Sequence, residues 1–265
     1  MQTVTSRHNS LLRTVRALIS QPDPDGSRLL LDGVHLLKAA LGAGLSIELV
    51  AVSASRLART SEEGVMARTL DQQGTAVVSV PDDAFSSLSP VRAPSGLVAI
   101  AMRTPVAATT ICRTADPFVL GVIDVQDPGN LGALLRVAEA GGANGALIAT
   151  GSASPFSWKA TRGSMGAVLR LPVATGMLPV ALLDCTRGNG LRTIAAVPRA
   201  GRDPAAIDWT GGVALLVGGE GAGLEDAIVT ACDDCVTIPM APTVESLNVA
   251  AAGAILVYAA RSQRI

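Results

Sequence analysis

Apolar residues along this chain fall into two rhythms. Short, nearly unbroken apolar runs predict strands at residues 28–31, 47–52, 75–80, 96–102, 118–125, 146–149, 193–197, 213–217 and 236–238. Between them, helical periodicity predicts helices over 1–20, 35–41, 62–72, 131–140, 182–187, 224–230 and 247–261, with short ones opening at Pro81 and inside 154–166. Strands alternating with helices define an α/β chain. Residues 103–116 carry no period and read as a linker. The expected organisation is a small α/β domain over 1–105, a linker over 106–116, and an α/β domain over 117–265. In the second, buried-looking strands predict a mostly parallel sheet with helices on both faces.

Composition refines this picture. Of 265 residues, 49% are hydrophobic and only 2% aromatic, so the core must be built from Ala, Val and Leu. No apolar run is long enough to span a bilayer. Residues 1–20 lack the apolar centre of a signal peptide, which points to the cytoplasm. A net charge of −1 gives no global attraction to nucleic acid. Local distribution is more informative: Arg7, Arg13 and Arg16 lie in an acid-free N-terminal stretch, and Lys159 and Arg162 in another at 151–172. These five are the candidate phosphate contacts. Lys38 and Lys159 are the only lysines among 21 basic residues, a bias that a GC-rich genome explains as readily as phosphate recognition does. Cys232 and Cys235 have the spacing of half a zinc site, but no second pair or nearby His completes it, so no metal site is expected.

Three clusters follow the C-terminal ends of predicted strands, where open α/β sheets bind ligands. The first is Asp127-Pro128-Gly129-Asn130-Leu131-Gly132, with Arg136 and Glu139 beyond. Leu131, Leu134, Leu135 and Ala138 form its buried stripe, and Arg136 faces the other way. Gly129 and Gly132, one turn earlier, are expected to leave room beside the guanidinium. The second is Gly218-Gly219-Glu220-Gly221-Ala222-Gly223, between a buried strand and a helix. It fails the dinucleotide fingerprint because Leu224 stands where a third Gly is needed, and Glu220 would repel phosphate. The third runs from Ile238-Pro239-Met240 to Glu245-Ser246-Leu247-Asn248. It delivers polar groups to the start of an Ala-rich helix whose small side chains allow close packing.

Taken together, the clusters resemble the three motifs of the SpoU/TrmH family of RNA ribose 2′-O-methyltransferases. Asn130, Gly132 and Arg136 match the first motif. Gly218, Glu220, Gly221 and Gly223 match the second, and Ile238, Pro239, Met240, Ser246, Leu247 and Asn248 the third. The segment from Pro155-Phe156-Ser157 through Arg170-Leu171-Pro172 resembles the stretch between motifs one and two. Gly33-Val34-His35-Leu36 and Ser95-Gly96-Leu97-Val98-Ala99 resemble the two ends of an N-terminal substrate-binding domain. One departure is Gly219, where many members carry Asn or Ala.

The resemblance implies a SPOUT domain with a C-terminal trefoil knot, preceded by an RNA-binding domain. It also implies a homodimer with the active site near the subunit interface, and S-adenosylmethionine as cofactor. The cofactor would be held by Gly218, Gly219, Glu220, Gly221, Ile238, Met240 and Leu247. Arg136 would act on the ribose hydroxyl, with Asn130, Glu220, Ser246 and Asn248 positioning it. A guanidinium stays protonated, so Arg136 is expected to bind the hydroxyl or its phosphate and stabilise negative charge. An N-terminal domain of this kind favours large-subunit (23S) ribosomal RNA as substrate. The competing readings are a tRNA 2′-O-methyltransferase, an RNA-binding paralogue without catalysis, and a dinucleotide-dependent oxidoreductase.

Overall fold

The computed structural model describes residues 1–4, 9–91 and 93–264. Two sheets organise the chain. The first comprises β1 (Gln2–Thr3), β2 (Arg28–Asp32), β3 (Ser46–Ser53), β4 (Ala76–Val80) and β5 (Leu97–Met102), in the order β1-β4-β3-β5-β2. β5 runs antiparallel to both its neighbours, and the other pairings are parallel. Its helices are α1 (Ser10–Ser20), α2 (Val34–Gly42), α3 (Ala54–Ala58), α4 (Glu62–Gln72) and α5 (Asp82–Phe85). The N-terminal segment is not one helix. A two-residue strand pairs with β4, and α1 begins only where the Asn9 side chain caps it.

The expected linker is not free of structure either. α6 (Ala108–Cys112) turns Ile111 and Cys112 into the core of the second sheet, at 1% and 2% exposure. Five residues are too few to show a helical period.

The second sheet is wholly parallel, in the order β11-β9-β10-β6-β7-β8. Its strands are β6 (Phe118–Val122), β7 (Gly145–Ala149), β8 (Val173–Met177), β9 (Arg192–Ala196), β10 (Val213–Val217) and β11 (Asp234–Val236). Around it lie α7 (Pro128–Ala140), α8 (Trp158–Gly163), α9 (Pro179–Gly188), α10 (Asp226–Ala231) and α11 (Val249–Gln263). β6, β7 and β10 are buried at every position, as strands covered on both faces must be. The edge strand β8 escapes the sequence reading because Val-Ala-Thr-Gly-Met carries only a fragment of an apolar run. β11 lies two residues earlier than expected, which leaves Ile238 in the following loop.

The two halves share buried contacts. Trp158 of α8 packs against the core of the first sheet that includes Leu12 and Leu30. The Phe156 ring fills the space beside Gly26. Arg103, 9% exposed, lies 5.0 Å over that ring and donates to the Val173 carbonyl at 2.8 Å. The core then runs without a break from β2 and β3 to β6 and β10.

Candidate active site

Helix α7 carries the first cluster because its start is fixed twice. Pro128 occupies the first turn, and the Asp127 carboxylate accepts the Asn130 backbone N–H at 2.8 Å. Asn248 caps α11 in the same way, its Oδ1 accepting from Ala250 at 2.9 Å and Ala251 at 3.3 Å. With that oxygen engaged, Nδ2 of Asn248 faces Asn130 and donates to its Oδ1 at 3.1 Å. Asn130 therefore turns its own Nδ2 to Glu220, 2.6 Å from Oε1. The other Glu220 oxygen lies 3.4 Å from the Gln126 N–H. One hydrogen-bonded chain, Asn248 to Asn130 to Glu220, thus ties the three sequence clusters together.

Beside this chain opens a cavity of about 320 Å³. All seven residues expected to hold a cofactor line it: Gly218, Gly219, Glu220, Gly221, Ile238, Met240 and Leu247. Ser246 and Asn248 lie on its wall as well. The volume is in the range of small-molecule sites, roughly 300–1,000 Å³. The sequence reading missed Ala196 at the end of β9, Val197 and Pro198 just after it, and Ala252 and Leu256 of α11. The β9 residues obey the same strand-end rule as the other loops, so the signal was available.

Arg136 stands apart. It is exposed, does not line the cavity, and has no hydrogen-bond or ion-pair partner among the described residues. Helical geometry explains the separation, since at about 100° per residue Arg136 lies roughly 120° around α7 from Asn130. Leu134, one turn beyond Asn130, meets Gly253 of α11. Gly132, one turn before Arg136, meets α8 instead: a β-carbon there would stand 2.5 Å from the Ala160 carbonyl oxygen and 2.8 Å from the Ser164 nitrogen. The expectation that Gly132 leaves room for the guanidinium is therefore overturned, because the backbone of α8 fills that space. Glu139 is committed elsewhere, in a bidentate pair with Arg170 at 2.5 and 2.7 Å.

The candidate phosphate contacts are scattered. Arg13, Lys159 and Arg162 are exposed, and the Lys159 ammonium sits 5.6 Å from the Trp158 ring centre. Arg16 is half-buried, and one of its guanidinium nitrogens is buried without a partner, which removes that nitrogen from a phosphate's reach. Arg7 lies outside the described residues. Cys232 and Cys235 flank the turn from α10 into β11 and pack against the second sheet's apolar cluster. Burial pushes the Cys232 thiol up to about 11, which favours the protonated form over a thiolate ligand.

A wholly parallel sheet with a cavity and a polar chain at its strand ends is the architecture of a small-molecule-dependent α/β enzyme. Residues 117–258 match the SpoU rRNA Methylase family. The chain is 32% identical to an uncharacterized tRNA/rRNA methyltransferase of Synechocystis sp., over 98% of this chain and 94% of that one. It is 30% identical to the 23S rRNA (guanosine(2553)-2′-O)-methyltransferase RlmP of Bacillus subtilis, over 86% of each. In three dimensions it resembles the AdoMet-bound rRNA methyltransferase from Sinorhizobium meliloti, with a TM-score of 0.85 and 27% identity, over 100% of this chain and 98% of that one. The chain belongs to the SpoU rRNA methylase family.

Proposed function

We propose that this protein transfers a methyl group from S-adenosylmethionine to a ribose 2′-hydroxyl of RNA, with large-subunit ribosomal RNA as substrate. The observation that carries the reading is the Asn248–Asn130–Glu220 chain beside the cavity, because it joins all three motif positions at one wall. The residues present fit the cofactor. Ile238, Met240 and Leu247 offer apolar walls, the Gly218–Gly221 turn offers close backbone approach, and the Glu220 carboxylate suits a cationic ligand without phosphates. When bound, S-adenosylmethionine supplies an electrophilic methyl group.

The protein's own residues supply orientation and charge. Asn130 and the Gln126 N–H hold both oxygens of Glu220, so its carboxylate has one fixed direction. Ser246 and Asn248 place a hydroxyl and an amide at the same wall. Arg136, without a partner among the described residues, is available to the RNA. Its guanidinium offers donors that bind the hydroxyl or adjacent phosphate and stabilise negative charge.

The wider reading follows. Residues 1–105 serve as the RNA-binding domain, 106–116 as the link and 117–265 as the methyltransferase domain. β11 at the sheet edge beside β9, and the return of α11 onto α7, support the knotted path implied by the motifs. A homodimer through the C-terminal domain is supported by exposed Val244, Leu247, Ile255 and Tyr258. Leu247 also lines the cavity, so that interface would border the site. Sedimentation of Ile255→Asp should show a monomer, and an unchanged dimer would exclude this face. No helix among the described residues is long and apolar enough to cross a membrane. We place the protein in the cytoplasm, with its RNA.

The deciding experiment maps 2′-O-methyl groups in ribosomal RNA from a deletion strain and its parent. A single 23S position that loses its mark, and regains it with purified protein and S-adenosylmethionine, is the expected result. An unchanged rRNA map with a lost tRNA mark would move the substrate to tRNA.

A further inference from the structure

The turn between β6 and α7 lies directly against the Gly-rich loop. β6 and β10 pair to the last residue of each, and Ile123 still donates to the Val217 carbonyl at 3.0 Å. The chain then bends at Asp124, which takes a left-handed backbone with φ of 58°. Few residues other than Gly adopt that conformation, and Asp and Asn are the main exceptions. A β-carbon built on Gly219 would overlap the Asp124 carbonyl oxygen. Gly219 thus has no side chain because the Asp124 peptide already occupies the place.

The turn is anchored on its far side too. Val125 is fully buried, its N–H donates to Ser152 Oγ at 3.3 Å, and its carbonyl accepts from Ala153 at 2.8 Å. Gln126 closes the unit. Its side-chain amide donates to Asp124 Oδ1 at 3.0 Å, and its backbone N–H faces Glu220 Oε2.

Resting on the methyltransferase reading above, we propose that Asp124 and Gly219 are a matched pair of positioning residues. The left-handed turn at Asp124, admitted only because residue 219 is Gly, brings the Gln126 N–H to the carboxylate of Glu220 and fixes its direction. The effect passes through backbone atoms, so what matters at 124 is tolerance of positive φ rather than negative charge.

The test uses the full chain, saturating S-adenosylmethionine and ribosomal RNA from the deletion strain. Asp124→Val, whose branched side chain resists positive φ, should lower kcat by roughly tenfold or more, with KM for RNA within about threefold of wild type. Gly219→Ala attacks the same contact from the other side and should match it. Asp124→Asn, which tolerates the turn, should stay within about threefold of wild type. Wild-type kcat in both Asp124→Val and Gly219→Ala would overturn the pairing. So would an equal loss in Asp124→Asn, since the carboxylate itself would then be required. A crystal structure of Gly219→Ala decides the point independently of activity: the Gln126 N–H should have left Glu220, and a retained bond overturns the proposal. A wild-type protein that transfers no methyl group would instead refute the functional reading.

Discussion

The two sides of helix α7 are built on opposite terms. Toward α11 it presents Asn130 and Leu134, and both are fully committed, one to a hydrogen-bonded chain and the other to packing on Gly253. Toward α8 it presents Gly132 and then Arg136. The glycine admits the α8 backbone, and the arginine has no partner among the described residues. One face therefore carries a hydrogen-bonded chain beside the cavity, whereas the other leaves a cation without a partner among the described residues. Pre-organised groups need no rearrangement at the moment of reaction, and a free guanidinium can adapt to a bound phosphate or ribose. On the proposed function, the contrast would separate orienting the site from engaging the acceptor.

Removing the free cation is expected to have the largest effect. Arg136→Ala should lower methyl transfer by roughly 10²–10³-fold while calorimetric S-adenosylmethionine binding stays unchanged. Near-normal turnover would erase the distinction between the faces. On the committed side, Asn130→Ala takes the partner from Glu220 Oε1 and from Asn248 Nδ2. A drop of roughly 10–100-fold in kcat follows if one charged hydrogen bond, about 1.5–3 kcal/mol, is lost. A loss seen only in melting temperature would make the chain structural rather than functional.

Gly132→Ala probes the crossing with α8. A methyl group forced against the Ala160 carbonyl should destabilise the fold by about 1–3 kcal/mol in denaturant titration. An unchanged midpoint would show that α8 yields easily. The smallest effect is expected at the scattered cations. Neutralising Lys159 and Arg162 together should flatten the salt dependence of RNA binding by roughly 0.7–0.9 per lost phosphate contact, without changing kcat. An unchanged slope would leave Arg136 as the better candidate for contact with the RNA backbone.

Much of this was legible beforehand, for specific reasons. Buried parallel strands such as β10 are continuous apolar runs, and that pattern is local. The helix expected over 62–72 has those bounds in the structure, where Ser61 caps it and Glu62 and Glu63 lie in its first turn. The seven residues that the family resemblance implies for the cofactor all line the cavity. The errors share a scale. α6, β1 and β8 have five residues or fewer, and they form because a sheet or core receives them, not because their own sequence repeats.

By itself, the sequence determined most of the strands and helices and the three polar clusters. Each of these depends on interactions within a few residues. The tertiary structure alone decided which residues meet. Asn130 reaches Glu220 across 90 positions and Asn248 across 118. Whether Gly132 faces an arginine or a helix backbone, and why residue 219 has no side chain, depends on where α8 and the Asp124 turn pass. Those answers come from the close packing of distant segments, in which one β-carbon is enough to forbid a contact.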